Sequence, residues 1–273
     1  MKKIVAPLGM AFLFILTQLI AAFVVKPFKE AGMQAFENPS DPMNIIQIFV
    51  VLLIFTLFIL LMAKYKERMV KYIILFFFFM ASLSIFQAFF YFLPTFSFII
   101  AMVISLTMLF LLLKHPEWYV VDFFGIFIAG GIAAIFAISL AIEYIIILLI
   151  ALAIYDAISV YKTKHMVKLA ETITSSHLPL LMVVPKTSSF SYLRGKFGRE
   201  RDAVYMGLGD LIIPGVLIAA SYMQYGIYGF IATLTGALVG YITLMLLIAK
   251  GPQPGLPYLN GGAILAYAFL HFL

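Results

Sequence analysis

Between Tyr119 and Tyr161 the chain carries three charged side chains, Asp122, Glu143 and Asp156, in an otherwise apolar or small stretch about twice as long as one membrane span. No soluble domain offers a core for such a run. The same character extends over all 273 residues, of which 64% are hydrophobic, 16% aromatic and 11% charged, where a soluble domain is about 45–50% apolar and about 25% charged. A chain of this length cannot enclose that much apolar surface, so the rest of it faces lipid. The expected fold class is an all-α polytopic membrane protein. The 18 basic and 12 acidic residues leave a formal charge of +6, but in a membrane protein the placement of charge matters more than its sum, and nucleic acid is not implied. Zero cysteines exclude disulfides, thiolate metal sites, iron–sulfur clusters and cysteine nucleophiles.

Nine stretches satisfy the need for about 20 mostly apolar residues per crossing. They run from Ile4 to Val25, Met43 to Ala63, Tyr72 to Leu93, Thr95 to Leu113, Tyr119 to Ser139, Ala141 to Tyr161, Ala203 to Tyr225, Ile227 to Ala249 and Pro254 to Leu273. The first outlasts the apolar run of a signal peptide and lacks a clear cleavage site, so it counts as a span. The cut between the fifth and sixth falls near Ser139 to Glu143, without a strong turn signal. Of the basic residues, 16 fall on one side of this arrangement and only Lys26 and Lys29 on the other. Basic residues are retained in the cytoplasm, which puts the N-terminus inside and the C-terminus outside. The chain then divides into residues 1–161 with six spans, a cytoplasmic loop over 162–202 that also meets anionic lipid, and residues 203–273 with three spans.

A carboxylate near the bilayer centre costs at least a few kcal/mol, so acids inside spans are the first place to look for function. Asp122 and Glu143 fall near span ends and read as interfacial, within reach of headgroups and water. Asp156 and Asp210 fall deeper. Asp156 precedes Lys162 by six residues, about 9 Å at helical rise, and Asp210 follows Asp202 by eight, about 12 Å. Two antiparallel neighbouring helices with acids at one level can bring the carboxyls face to face, and a shared proton is the natural way to hold them.

The segment Gly251-Pro-Gln-Pro-Gly-Leu-Pro257 opens the last span at about the same depth. Its prolines lack donors and bias their predecessors away from helix, and irregular backbone at membrane depth is tolerated where it lines a cavity. Gly207 and Gly209, just before Asp210, allow close approach of a neighbouring helix or backbone. Gly236 to Gly240 forms a GxxxG packing motif. A His-Glu-x-x-His motif and a Gly-x-Ser motif are both missing, which argues against an intramembrane zinc protease and a rhomboid-like serine enzyme. Charge and proline breaks on their own suit two functions. One is peptide hydrolysis by an Asp156/Asp210 pair; the other is an ion- or proton-coupled transporter using the same acids, although no pairing of two inverted halves emerges.

Tyr155-Asp156 in one span, Gly207-Leu208-Gly209-Asp210 in the next and Pro254-Gly255-Leu256-Pro257 opening the last together resemble the presenilin and signal peptide peptidase family of intramembrane aspartyl proteases, and within it an archaeal presenilin homologue. The likeness spans the whole membrane region. One departure is Gly255, where the family's Pro-Ala-Leu has alanine. The resemblance implies that Asp156 and Asp210 are catalytic and of the GxGD type. It implies that Tyr155, Gly207, Leu208, Gly209, Pro254, Gly255, Leu256 and Pro257 shape the site or receive substrate, and that substrates are single transmembrane helices. Cleavage of a helix requires local unwinding, after which the freed backbone can pair as an added strand against an edge such as the Pro254 to Pro257 segment. The resemblance calls for no metal or cofactor, points to no obligatory partner subunit, and is compatible with a homo-oligomer. The inside N-terminus is the presenilin-like orientation.

Overall fold

The computed structural model describes residues 2–65, 67–163, 180–186, 190, 203–248, 251 and 253–272. Most of the expected cytoplasmic loop over 162–202 lies outside the described residues, as do Lys66 and Lys250 of the charge count. Among the described residues eight α-helices follow in chain order: α1 Lys2–Glu30, α2 Met43–Tyr65, α3 Glu67–Phe89, α4 Ser97–Lys114, α5 Trp118–Ser139, α6 Ile142–Ile158, α7 Leu208–Ile248 and α8 Leu256–His271. A π-turn, Ser159–Thr163, continues α6. Among the described residues, six helical stretches are long and apolar enough to cross a membrane.

Where nine spans are expected, the seventh and eighth merge into the 41-residue α7. At about 1.5 Å per residue such a helix is about twice the hydrocarbon thickness. It is broken at Gly226, whose φ of 64° and ψ of −143° suit glycine alone. The arms before and after fold against each other, since a Cβ on Gly229 would lie 2.2 Å from the Ser221 carbonyl oxygen. The break falls on the single residue between the expected seventh and eighth spans.

Two strands depart from the all-α expectation. β1, Leu181–Pro185, pairs antiparallel with β2, Ala203–Gly207, with Leu181 opposite Gly207 and Val183 opposite Tyr205. The apolar pattern starts the seventh span at Ala203, whereas helix begins only at Leu208. Five apolar residues rich in Val and Tyr suit a short strand as well as a helix entry, and periodicity cannot separate the two at that length.

The boundary between α5 and α6 falls in the expected interval, at Leu140 and Ala141. Its cause lies elsewhere in the chain. The loop after α1 holds the corner, with the Ala35 N–H donating to Ser139 Oγ at 2.8 Å and the Ala141 N–H donating to the Pro39 carbonyl at 2.9 Å.

Helix α5 is the axis of the bundle, packing on α1, α7 and β1. Phe14 of α1, Ile128 of α5, Met182 of β1 and Leu217 of α7 are fully buried around it. By contrast α2 exposes a continuous run from Val50 to Leu53 and packs mainly on α3, as a lipid-facing helix does. The GxxxG of α7 brings α8 to backbone contact: a Cβ on Gly236 would lie 2.2 Å from the Gly262 carbonyl oxygen, and one on Gly240 2.0 Å from that of Tyr258. Close approach of this kind is what holds helices together where no hydrophobic driving force exists between them. Gly240→Ala is expected to force α8 away from α7 and cost about 1–3 kcal/mol of stability, read as a lowered thermal midpoint; an unchanged midpoint would mean that this contact is not needed.

Candidate active site

Pro254 and Pro257 lack backbone donors, and the first N–H groups of any helix have no intrahelical acceptor. At the start of α8 the unmet donors are therefore those of Gly255 and Leu256, and α8 has no side-chain cap of its own. Asp156, in the last turn of α6 and 7% exposed, fills this role from another helix. Its Oδ2 accepts the Leu256 N–H at 3.0 Å, and the Gly255 N–H faces the same carboxyl. A carboxyl at a helix N-terminus also meets the positive end of the helix dipole.

Asp210 reaches the same segment from the other side. A Cβ on Gly255 would lie 3.1 Å from Asp210 Cγ, Oδ1 and Oδ2 alike. Asp156 and Asp210 are near enough to interact directly through their charges. Asp210 occupies the first turn of α7, immediately after β2, and the Gly207 N–H faces its half-buried carboxyl. The route to a common level differs from the depth arithmetic. Five of the residues before α7 are extended and rise about 3.3 Å each, so the helical estimate of about 12 Å does not apply to them.

The roles of the motif residues separate in space. Close approach occurs at Gly255; a Cβ on Gly209 would meet nothing within 4 Å, and one on Gly207 would make ordinary 3.5 Å contact with Asp210 Oδ2. Leu208 is buried and its N–H donates to the Leu180 carbonyl at 3.0 Å, which fastens the turn into α7. Pro254 is buried. Tyr155, about 100° around the helix from its neighbour, is 59% exposed while Asp156 is buried. The expected strand-like edge at Pro254 to Pro257 is absent: Gly255 has helical dihedrals (φ −78°, ψ −48°) and α8 starts at Leu256. The sheet nearest the acids in sequence is β1–β2, which ends at Gly207.

Several polar side chains around the site escape a sequence reading. Gln253 accepts the Tyr161 hydroxyl at 2.6 Å and the Tyr258 hydroxyl at 3.3 Å, tying the π-turn after α6 to both sides of the proline segment. Asn260, fully buried, donates to the Leu149 carbonyl at 2.9 Å and pins α8 to α6 one turn beyond Leu256. Gln18 of α1, also fully buried, donates to the Leu211 carbonyl at 3.0 Å, one residue after Asp210. A buried amide in an apolar span is the signal that could have found the last two. Asp122 departs from its interfacial reading: it is 4% exposed, covered by β1. Glu143 is exposed at the start of α6. Among the described residues no three His, Asp or Glu side chains form a metal-binding group.

Two carboxyls facing each other across a backbone segment inside a membrane-spanning helical bundle are the layout of an aspartyl protease that works within the bilayer. The sequence profile of the family described as signal-peptide peptidase, presenilin aspartyl protease matches residues 11–273. The chain belongs to this family. Two solved structures of a presenilin family intramembrane aspartate protease resemble it over its length. The one in space group P2 is 35% identical, covers 96% of this chain and 96% of its own, and superposes with a TM-score of 0.74. The one in space group C222 is 32% identical, covers 96% and 95%, and has a TM-score of 0.70. No curated protein matches the chain. Nothing in these comparisons points to a transporter. The space into which a side chain on Gly255 would grow is taken by the Asp210 carboxyl. Gly255→Val is expected to push Asp210 aside and lower the turnover rate about ten- to hundredfold with the protein still folded; full activity in that variant would show that the 3.1 Å approach is not used.

Proposed function

We propose that the protein hydrolyses peptide bonds within single transmembrane helices, with Asp156 and Asp210 as the catalytic pair and Asp210 carried by a Gly-x-Gly-Asp motif. The observation that supports this most is the convergence of both carboxyls on Gly255 and Leu256. One ionised carboxyl takes a proton from water as the water oxygen adds to the scissile carbonyl carbon, and the protonated partner gives its proton to the carbonyl oxygen. The carbon–nitrogen bond of the resulting gem-diol then breaks. The leaving nitrogen takes the proton that water gave up, a diol proton returns to the second carboxyl, and the products are a carboxylic acid and an amine. A helical substrate hides its carbonyls in i to i−4 bonds, so a stretch must unwind, and its freed backbone needs partners away from lipid. Strand addition next to the β1–β2 sheet supplies them close to Asp210.

The two arms of α7, with α1 to α6 and α8, amount to nine crossings, and the 16 to 2 distribution of basic residues supports an inside N-terminus. Residues 1–161 then carry Asp156, residues 203–273 carry Asp210 and the proline segment, and 162–202 form a cytoplasmic connection.

Incubating the purified protein with a transmembrane peptide in lipid and reading the fragments by mass spectrometry tests the chemistry. Asp156→Asn and Asp210→Asn are each expected to lower cleavage at least about a hundredfold while leaving an extractable, cooperatively melting protein. Cleavage by the double variant would sink the reading. The chain has no cysteine of its own, so one introduced within 162–202 reports topology: an impermeant thiol reagent is expected to label it in inside-out vesicles and not in sealed cells, and the opposite pattern would invert the orientation.

A further inference from the structure

Asp122 is an intramembrane acid that the catalytic pair leaves unused. It lies in the second turn of α5 and is 4% exposed, and a buried carboxyl is costly unless it is hydrogen-bonded. Its Oδ1 accepts the Val183 N–H at 2.8 Å, and its Oδ2 has no hydrogen-bond partner among the described residues. The partner is a backbone group of β1, not another side chain.

The register identifies which edge of the sheet it holds. Opposed residues in an antiparallel pair alternate between exchanging both backbone bonds and exchanging none. The Leu208 N–H bonds to the Leu180 carbonyl, so the bonded set on β1 is the even one, 180, 182 and 184. Val183 belongs to the other set. Its N–H points away from β2, and Asp122 takes it without competing with the ladder.

Side-chain packing agrees with this seat. Gly125 lies three residues beyond Asp122, on the same face of α5. A Cβ there would lie 2.7 Å from Met182 Sδ and 3.4 Å from Leu208 Cδ2. Further along the same face of β1, a Cβ on Gly9 of α1 would lie 2.8 Å from Val184 Cγ1. Three successive residues of β1 are thus gripped in turn: Met182 and Val184 by notches in two helices, and the Val183 backbone by a carboxyl. From there the path to the site is short, because Leu181 faces Gly207, the Leu180 carbonyl takes the Leu208 N–H, and the Gly207 N–H faces the Asp210 carboxyl.

The geometry points to Asp122 as a positioning residue for the reaction: its carboxyl fixes β1 through the Val183 N–H, and the β1–β2 register carries that placement to the turn that presents Asp210. Asp122 itself touches neither the scissile bond nor the pair. The inference rests on the reading of Asp210 as catalytic and adds the residue that holds its strand.

The test uses the full chain in lipid with a transmembrane peptide as substrate, kcat and KM being determined per folded molecule alongside the thermal midpoint. Asp122→Asn keeps an oxygen for the Val183 N–H and is expected to retain kcat within about threefold of the parent. Asp122→Leu removes the acceptor and is expected to lower kcat about ten- to hundredfold, with KM changed less than about threefold. Asp122→Ser, polar but too short to reach, is expected to follow Leu, and it decides the question if the Leu variant does not accumulate. A role in stability alone would lower the midpoint and leave kcat per folded molecule untouched. Equal kcat in all three variants, or Asn as damaging as Leu and Ser, overturns the inference. Cleavage surviving Asp210→Asn would instead overturn the reading beneath it.

Discussion

The hydrogen bond from the Leu256 N–H to Asp156 solves two problems that the membrane sets separately. A helix that begins with prolines inside the bilayer leaves backbone donors without water to meet them. A carboxyl in the last turn of an apolar helix lacks partners for the same reason. Each is satisfied by the other, so the start of α8 and the end of α6 are fixed relative to one another by a bond that neither could give up cheaply. Gln253 between two tyrosines and Asn260 on the Leu149 carbonyl flank that bond before and after it along the chain. Asp210, at the start of the first arm of α7, meets the same segment at Gly255, and the second arm packs on α8 through Gly236 and Gly240.

This division of labour explains why an intramembrane aspartyl protease of this family can be built from helices whose outer surfaces are almost featureless. The two converging carboxyls lie at the end of α6 and the start of α7, against the start of α8. The remaining helices supply a wall: α2 is mostly lipid-facing, whereas α5 is buried along most of its length and serves as the post against which the hairpin and α7 are aligned.

The acids and the proline segment were legible because membrane burial makes a carboxyl or a missing donor conspicuous against 64% apolar residues. The helices were legible for the same reason, down to the Leu140–Ala141 corner. What escaped the sequence is whatever depends on contacts made at a distance. Ala203 to Gly207 is apolar enough to pass for helix and becomes a strand because Leu181 to Pro185 pairs with it. Asp122 looks interfacial in one dimension and is buried because that strand covers it.

The corner between α5 and α6 has neither glycine nor proline to bend it, and both of its anchors, Ala35 and Pro39, stand about a hundred residues earlier in the chain. During synthesis those anchors are in place before the corner emerges. The order of translation therefore favours the fold, since the segment from Tyr119 to Tyr161 meets its template as soon as it enters the bilayer.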